Sequence, residues 1–284
     1  MARIILLATL TMTAFAANSL LNRAALLDGE TGPAAFAALR VASGALCLAL
    51  LAAMRGGLPL GDLRKRGIGA STLTVYVLGF SFAYVALDAG LGALILFGTV
   101  QLTMFAGALV SGERPPATRW IGALLALAGL TGLVWPGTAE APALGPVMLM
   151  AAAGVGWGFY SLAGRGATNP LGDTAANFLC AAPFAIVLWV IAPDGLTQRG
   201  ALLAIVSGAL TSGLGYALWY GILPRIEASV AALAQLTVPV IAVAGGIMFL
   251  AEPVTARLVI ASIVILGGVA LGILGQRRIG SSGS

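Results

Sequence analysis

The chain has 284 residues, of which 60% are hydrophobic and only 9% are charged, and its formal net charge is +5. Soluble domains carry about 25% charged residues, so this composition excludes a water-soluble fold and indicates an integral membrane protein. The basic residues stand in short clusters between apolar runs, which fits membrane orientation better than nucleic-acid binding. We therefore expect a lipid bilayer around the chain and no nucleic-acid partner.

Ten apolar segments are long enough to cross a bilayer, since a helix needs about 20 residues to span roughly 30 Å of hydrocarbon. Segments rich in Gly, Pro, Asn and Asp separate them. The spans are predicted at 4–26, 33–54, 68–87, 90–111, 117–136, 144–164, 172–192, 201–221, 227–250 and 254–275. Strands that alternate apolar and polar residues are missing, which excludes a membrane β-barrel.

The fourth and ninth predicted spans have a common pattern. Asp88–Glu113 and Glu227–Glu252 have the same length, are bracketed by carboxylates, and match at Ala93/Ala232, Leu94/Leu233 and Gly107/Gly246. The first and sixth spans also align, at Ser19/Ser161 and Arg23/Arg165. The pattern predicts one unit written twice, over residues 1–138 and 143–278. Residues 279–284 look like a tail left by cloning.

The distribution of Lys and Arg predicts the orientation. If the N-terminus is cytoplasmic, the cytoplasmic segments hold 11 of the 15 basic residues, so the positive-inside rule favours both termini in the cytoplasm. Each half then has five spans, an odd number, which places the second half upside down relative to the first. Inverted repeats of this kind are the architecture of secondary transporters.

These features resemble the EamA family of the drug/metabolite transporter superfamily. The resemblance lies in two five-helix repeats, each with a fourth span that ends in Glu, at Gly112-Glu113 and Ala251-Glu252-Pro253, and a Gly-rich fifth span. It covers residues 4–275. It implies an all-α membrane protein with ten transmembrane helices, in two inverted five-helix repeats around a central cavity. Spans 1, 3, 4, 6, 8 and 9 would surround the cavity, and spans 5 and 10 would be peripheral.

Within that family the aromatic content suggests the YddG-type exporters. This resemblance implies export of aromatic and other neutral amino acids from bacteria, across the inner membrane, by alternating access. Broad-specificity drug or metabolite efflux remains the alternative, because an aromatic and uncharged cavity also suits lipophilic compounds. Since each half would need its partner to form the site, we expect a functional monomer.

Aromatic residues favour one face of two equivalent spans. Tyr76, Phe80 and Tyr84 recur every four residues on the third span, and Tyr216 and Trp219 cluster on the eighth. Buried phenol and indole donors need partners, which a hydrated cavity supplies, so these residues are predicted to bind substrate. An aromatic belt at the membrane interface is the alternative, above all for Tyr84.

Polar side chains at mid-depth are the second signal. Asn18, Gln101 and Gln235 lie on spans predicted to face the cavity, and polar groups in lipid usually face the protein interior. They are predicted to hold a zwitterionic substrate, and hydrogen bonding between helices is the alternative. Pro239 removes a backbone hydrogen bond, which frees a carbonyl for a ligand or kinks the ninth span.

Trp157 is the strongest single candidate for a binding residue. It lies with Tyr160 on the sixth span, in a stretch where Gly154, Gly156 and Gly158 are expected to leave room for a ligand to stack.

Acidic residues are predicted only at span ends. Asp88, Glu113, Glu227 and Glu252 stand there, and we expect them to be solvated, whereas proton-coupled transporters usually bury a carboxylate on the transport path. Export without obligatory proton coupling follows as a hypothesis. A phosphate-bearing substrate would need a cation in the cavity, and the one candidate, Arg40, lies on the second span, outside the predicted cavity.

The chain contains no His, and it shows no pairing of carboxylates at mid-depth and no thiol beside a base. An enzyme would need such a constellation. We therefore predict no catalytic residues, no metal site and no cofactor, and a small molecule as the ligand.

Overall fold

The computed structural model describes residues 2–55, 57, 63–135, 141–164, 167–222, 225–226 and 234–280. Within these ranges the regular secondary structure is helical and there is no strand, which confirms the all-α prediction. The helices are α1 (Ala2–Leu26), α2 (Pro33–Arg55), α3 (Leu63–Ala83), α4 (Ala89–Val110), α5 (Ala117–Val134), α6 (Leu144–Ala163), α7 (Pro170–Ile191), α8 (Gln198–Ile205), a π-helical segment (Val206–Leu214), α9 (Gly215–Ile222), α10 (Thr237–Leu250) and α11 (Ala256–Gly280).

Eight helices in the described part of the chain are long and apolar enough to cross a membrane. One of them is the continuous stretch Gln198–Trp219, which joins α8, the π-helical segment and most of α9. The other two predicted spans correspond to α3, which is less apolar, and to α10, which has 14 residues. Residues 227–233 of the predicted ninth span lie outside the described residues. The helices thus occupy the positions of the ten predicted spans.

The third span begins and ends earlier than the sequence predicts. The prediction is 68–87, whereas α3 covers Leu63–Ala83 and Tyr84 lies in the turn that follows. The polar residues before position 68 are helical because Arg66 has partners on α7: its Nη1 donates to the Asp173 carbonyl oxygen at 3.0 Å and to Asn177 Oδ1 at 3.1 Å.

Glycines let helix backbones approach each other closely. A methyl group added at Gly122 of α5 would lie 2.4 Å from the Gly268 carbonyl oxygen of α11. One added at Gly156 of α6 would lie 2.7 Å from the Thr72 carbonyl oxygen of α3. Small residues at such contacts are typical of membrane helix packing, so these glycines allow the close packing of α5 on α11 and of α6 on α3.

The segment after α7 holds the beginning of α2. The Asp194 carboxylate accepts from the backbone N–H groups of Ala34 at 2.8 Å and Ala35 at 2.9 Å. The Gly32 N–H donates to the Gly195 carbonyl oxygen at 2.8 Å. The first N–H groups of a helix lack partners within it, so Asp194 satisfies two of them and binds residues of the two predicted repeats together.

Large apolar side chains cover much of the outer surface. Phe184 is 59% exposed, Met248 74% and Phe249 75%. Water-soluble monomers rarely expose such surface in continuous patches, whereas lipid tails accept it. The exterior therefore fits a bundle that lies in a membrane.

Candidate functional site

Aromatic rings from five helical elements meet in the interior. We call them the aromatic cluster, and each member has its ring centroid within 6.2 Å of another member's. Seven of its rings belong to residues that the sequence predicts as site residues, and Phe15 and Phe178 were not predicted. The members are Phe15, Tyr76, Phe80, Tyr84, Trp157, Tyr160, Phe178, Tyr216 and Trp219.

Trp157 of α6 stands at the centre of the cluster. Its ring centroid lies 5.0 Å from that of Tyr76, 5.4 Å from that of Tyr160 and 5.4 Å from that of Tyr216. It is half-buried, and it touches rings of both predicted repeats. Any movement of one repeat against the other must therefore change the packing of this indole.

The glycines around Trp157 allow neighbouring helices to pack closely against α6. A methyl group at Gly154 would lie 2.7 Å from Thr99 Cβ, and one at Gly158 would lie 2.6 Å from Thr103 Cγ2, both on α4. Together with the contact of Gly156 with α3, these positions are filled by neighbouring helices. The expectation that the three glycines leave room for a ligand is wrong, because α3 and α4 occupy that room.

The spacing of four residues brings the rings of Tyr76, Phe80 and Tyr84 together. The Tyr76 and Phe80 centroids are 5.4 Å apart, and those of Phe80 and Tyr84 are 4.7 Å apart at an interplanar angle of 85°. The Tyr84 hydroxyl donates to the Ala89 carbonyl oxygen at 3.2 Å. Tyr84 is fully buried, which is not the position of an interfacial belt residue.

Asn18 of α1 is bound to the π-helical segment. Its Oδ1 accepts from the hydroxyl groups of Ser207 at 2.9 Å, Thr211 at 2.6 Å and Ser212 at 3.3 Å. The spacing of four and five residues suits a π-helical turn, and π-helical turns are often found at functional sites. Asn18 therefore joins a buried polar layer beside the aromatic cluster.

Arg40 of α2 also lies in this interior, although the sequence analysis placed it outside the site. Its guanidinium carbon is 4.8 Å from the Phe80 ring centroid and 5.6 Å from the Tyr76 centroid. Its Nη2 donates to the Tyr76 hydroxyl at 3.1 Å, and the residue is only 2% exposed. Gly208 allows this arrangement, since a methyl group there would lie 2.1 Å from the Arg40 carbonyl oxygen.

The remaining predicted site residues lie outside the aromatic cluster. Gln101 of α4 and Gln235 before α10 are half-buried, and Pro239 of α10 is buried. None of the ring contacts or hydrogen bonds described for the cluster includes them. Their part in binding stays a prediction. Among the described residues no three His, Cys, Asp or Glu side chains meet as metal ligands would.

The sequence of this chain is similar to those of known proteins. A protein of Pseudomonas aeruginosa, called uncharacterized, is 49% identical over 95% of this chain and 94% of its own length. The model of the EamA-like transporter family matches residues 144–274. Residues 144–274 are thus similar to the EamA-like transporters. The apolar helices indicate a multi-pass membrane protein.

A more distant relative and a solved structure are also similar to this chain. A protein of Archaeoglobus fulgidus described as an uncharacterized transporter is 24% identical over 84% of this chain and 87% of its own length. A protein of known crystal structure is 20% identical, with a TM-score of 0.69 over 98% of this chain and 99% of that one. The structural likeness shows a common fold.

Glu252 differs from the solvated carboxylate that the sequence predicts. Its Oε1 accepts from the Ala89 N–H at 2.6 Å and its Oε2 from the Gly90 N–H at 3.4 Å, at the beginning of α4. Burial raises the pKa of this carboxyl above its usual value, and the two N–H donors and Arg23 only partly oppose the effect. The chain thus holds a half-buried titratable group between its two predicted repeats.

Contacts also join the two predicted repeats at the other end of the bundle, where α3 and α7 begin. Arg66 of α3 forms an ion pair with the Asp173 carboxylate of α7, and Asn177 Nδ2 donates to the Tyr160 hydroxyl at 3.5 Å. Asp173, Asn177 and Tyr160 line a cavity of about 40 Å³, enough for about one water molecule. The aromatic cluster is therefore linked through Tyr160 to polar groups at the end where α3 and α7 begin.

Proposed function

We propose that this EamA-like protein exports aromatic and other neutral amino acids across a bacterial inner membrane. The observation that carries the proposal is the aromatic cluster around Trp157, which gathers rings from both predicted repeats. Aromatic rings stack on one another and on cations, each contact contributing about 0.5–1.5 kcal/mol beyond burial. Such a cluster suits the ring and the ammonium group of an aromatic amino acid.

The export would follow alternating access between two inverted five-helix repeats, with both termini in the cytoplasm and the monomer as the functional unit. Three sets of contacts between residues 1–138 and 143–278 support this mechanism. Asp194 and Glu252 bind the beginnings of α2 and α4, Arg66 binds Asp173, and Trp157 contacts Tyr76 in between. Opening toward one side requires one terminal set to separate while the other stays closed.

Broad efflux of lipophilic compounds is the second candidate. The observation in its favour is the number of buried rings in contact, since an apolar aromatic interior also accepts drugs. Competition separates the two functions. Unlabelled threonine and phenylalanine should compete with labelled phenylalanine for an amino-acid exporter, whereas a drug transporter should ignore both and should respond to lipophilic cations.

The test is efflux of labelled phenylalanine, with labelled threonine alongside, from proteoliposomes that contain the purified protein. We expect saturable efflux that Trp157→Ala weakens about three- to tenfold, the equivalent of one or two lost ring contacts. Trp135→Ala is the matched control, because Trp135 is 62% exposed at the end of α5 and should leave efflux unchanged. Equal efflux from both variants would place the substrate away from the cluster, and no efflux from the wild type would refute amino-acid export.

A further inference from the structure

Arg40 carries a buried positive charge that no carboxylate neutralises in the described part of the chain. The ion pairs found there join Arg23 with Asp88, Arg66 with Asp173, Arg119 with Glu113, and Arg199 with Asp28. Arg40 takes part in none of them and is 2% exposed. A buried and unpaired charge is costly, and ionisable residues within membrane spans usually serve a transport path.

The guanidinium is held in place on one side only. Phe80 lies under it and Tyr76 accepts from Nη2, whereas Nη1 is buried and has no hydrogen-bond partner among the described residues. Because the Tyr76 oxygen acts as the acceptor, its O–H can still donate to another group. Arg40 and Tyr76 together thus offer two neighbouring donors, one of them charged.

We infer that Arg40, with the Tyr76 hydroxyl, binds the carboxylate of the transported molecule. A guanidinium presents donors in a planar fork that matches the two oxygens of a carboxylate. Binding would pair the buried charge and satisfy Nη1 at the same time. The inference rests on the proposed function and makes it narrower: the substrate must carry a carboxylate, and an amine or a lipophilic cation without one is excluded.

A buried hydrogen-bond acceptor near the same stretch of α3 supports an amino acid as the ligand. Asn22 of α1 donates through Nδ2 to Ser81 Oγ at 3.1 Å, next to Phe80 in the chain. Its Oδ1 is fully buried and has no partner among the described residues. An unpartnered cationic donor and an unpartnered acceptor, both beside residues 76–81 of α3, complement the two charged ends of a zwitterion.

The experiment uses three ligands that differ by one group: phenylalanine, 3-phenylpropionate, which lacks the ammonium, and phenethylamine, which lacks the carboxylate. Binding to the purified full-length protein is measured as the concentration dependence of its thermal stabilisation. The variants are Arg40→Met and Arg40→Lys. The control is Arg199→Met, whose side chain is 66% exposed and pairs with Asp28 at 3.6 Å.

We expect the wild type and Arg199→Met to bind phenylalanine and 3-phenylpropionate in preference to phenethylamine. Arg40→Met should weaken both carboxylates by about 10- to 100-fold, the usual worth of a charge-assisted hydrogen bond, and should leave phenethylamine unchanged. Arg40→Lys keeps the charge without the fork and should fall in between. Without ligand, Arg40→Met should melt no lower than the wild type, since it removes a buried charge.

The outcomes separate this inference from the proposed function. Unchanged binding of 3-phenylpropionate by Arg40→Met, or by Arg40→Lys if the Met variant does not fold, would overturn the carboxylate site. A lower melting temperature with unchanged ligand preference would likewise mean a structural arginine. Selective binding of 3-phenylpropionate by a wild type that moves no amino acid would keep the site and refute amino-acid export. Preference for phenethylamine over both carboxylates would refute both.

Discussion

Replacing Asp194 with Ala should loosen the junction between α2 and the segment after α7. Both carboxylate oxygens accept backbone N–H groups, of Ala34 at 2.8 Å and of Ala35 at 2.9 Å. The change would leave these two donors without their acceptor at a half-buried site. Loss of an N-cap costs about 0.5–2 kcal/mol, and a hydrogen bond to a charged group contributes about 1.5–3 kcal/mol.

With two such bonds we expect a loss of about 2–4 kcal/mol in the free energy of unfolding, because water replaces part of the interaction. For a chain of this size that corresponds to a fall of about 5–15 °C in melting temperature. Asp194→Asn keeps one acceptor oxygen and should lose about half as much. The assay is thermal unfolding of the purified protein in detergent, at one pH and one detergent concentration.

Asp28→Ala is the matched control at the same end of the bundle. The Asp28 side chain is 42% exposed and lies 3.6 Å from Arg199, and exposed ion pairs contribute about 0–1 kcal/mol. The reasoning is refuted if Asp194→Ala and Asp28→Ala melt within about 2 °C of each other.

Three further changes test other parts of the structure. Burial raises the Glu252 pKa, so the native state binds this proton more tightly than the unfolded state does, and the resulting stability is present at low pH and lost as pH rises through the native pKa. Glu252→Gln should therefore gain in melting temperature relative to the wild type as pH rises from about 5 to 8, and parallel curves would contradict the assignment. Gly122→Ala should lower the melting temperature, with a cost of about 1–3 kcal/mol for overpacking against the Gly268 carbonyl oxygen. Gly132→Ala on the same helix meets open space and should be neutral or stabilising; equal effects of the two would exclude close packing of α5 on α11. Asn18→Leu should lower the melting temperature by removing the acceptor of the Ser207 and Ser212 hydroxyl groups, at about 1–3 kcal/mol for donors left unpaired, whereas Thr211 keeps its hydrogen bond to the Ser207 carbonyl oxygen. An unchanged value would mean that the two serine hydroxyl groups find other partners.

The helices and most of the ring cluster could be predicted from the sequence. Apolar runs of about 20 residues are strong signals for membrane helices because no other element satisfies the backbone there. The spacing of Tyr76, Phe80 and Tyr84 places the three side chains on one face whatever the neighbouring helices are. The length of the apolar runs and the spacing of the aromatic residues therefore carried these predictions.

The position of Arg40 could not be predicted in the same way. The sequence shows a cation one third of the way along the second span. It does not show which helix packs against the face of α2 that carries Arg40. The close approach of Gly208 to the Arg40 backbone brings α2 against the π-helical segment. A signal was present, since a lone Arg within an apolar span is costly unless it faces the interior.

The surroundings of Glu252 and of the glycines near Trp157 could not be predicted from the sequence either. A carboxylate at a span end is usually solvated, and only the packing of two distant segments brings Glu252 to the beginning of α4. Likewise a glycine leaves space, but the sequence does not say whether a ligand or a helix backbone fills it. At Gly154, Gly156 and Gly158 neighbouring helices fill it.

Counterflow tests the central claim most directly, that an amino acid passes by alternating access through a site lined by the aromatic cluster. Proteoliposomes are loaded with unlabelled phenylalanine and diluted into a trace of labelled phenylalanine, without a pH gradient. We predict transient accumulation of label above equilibrium, reduced about three- to tenfold in Trp157→Ala and retained in Trp135→Ala. Equilibration without an overshoot in the wild type, or an equal overshoot in both variants, would contradict the account.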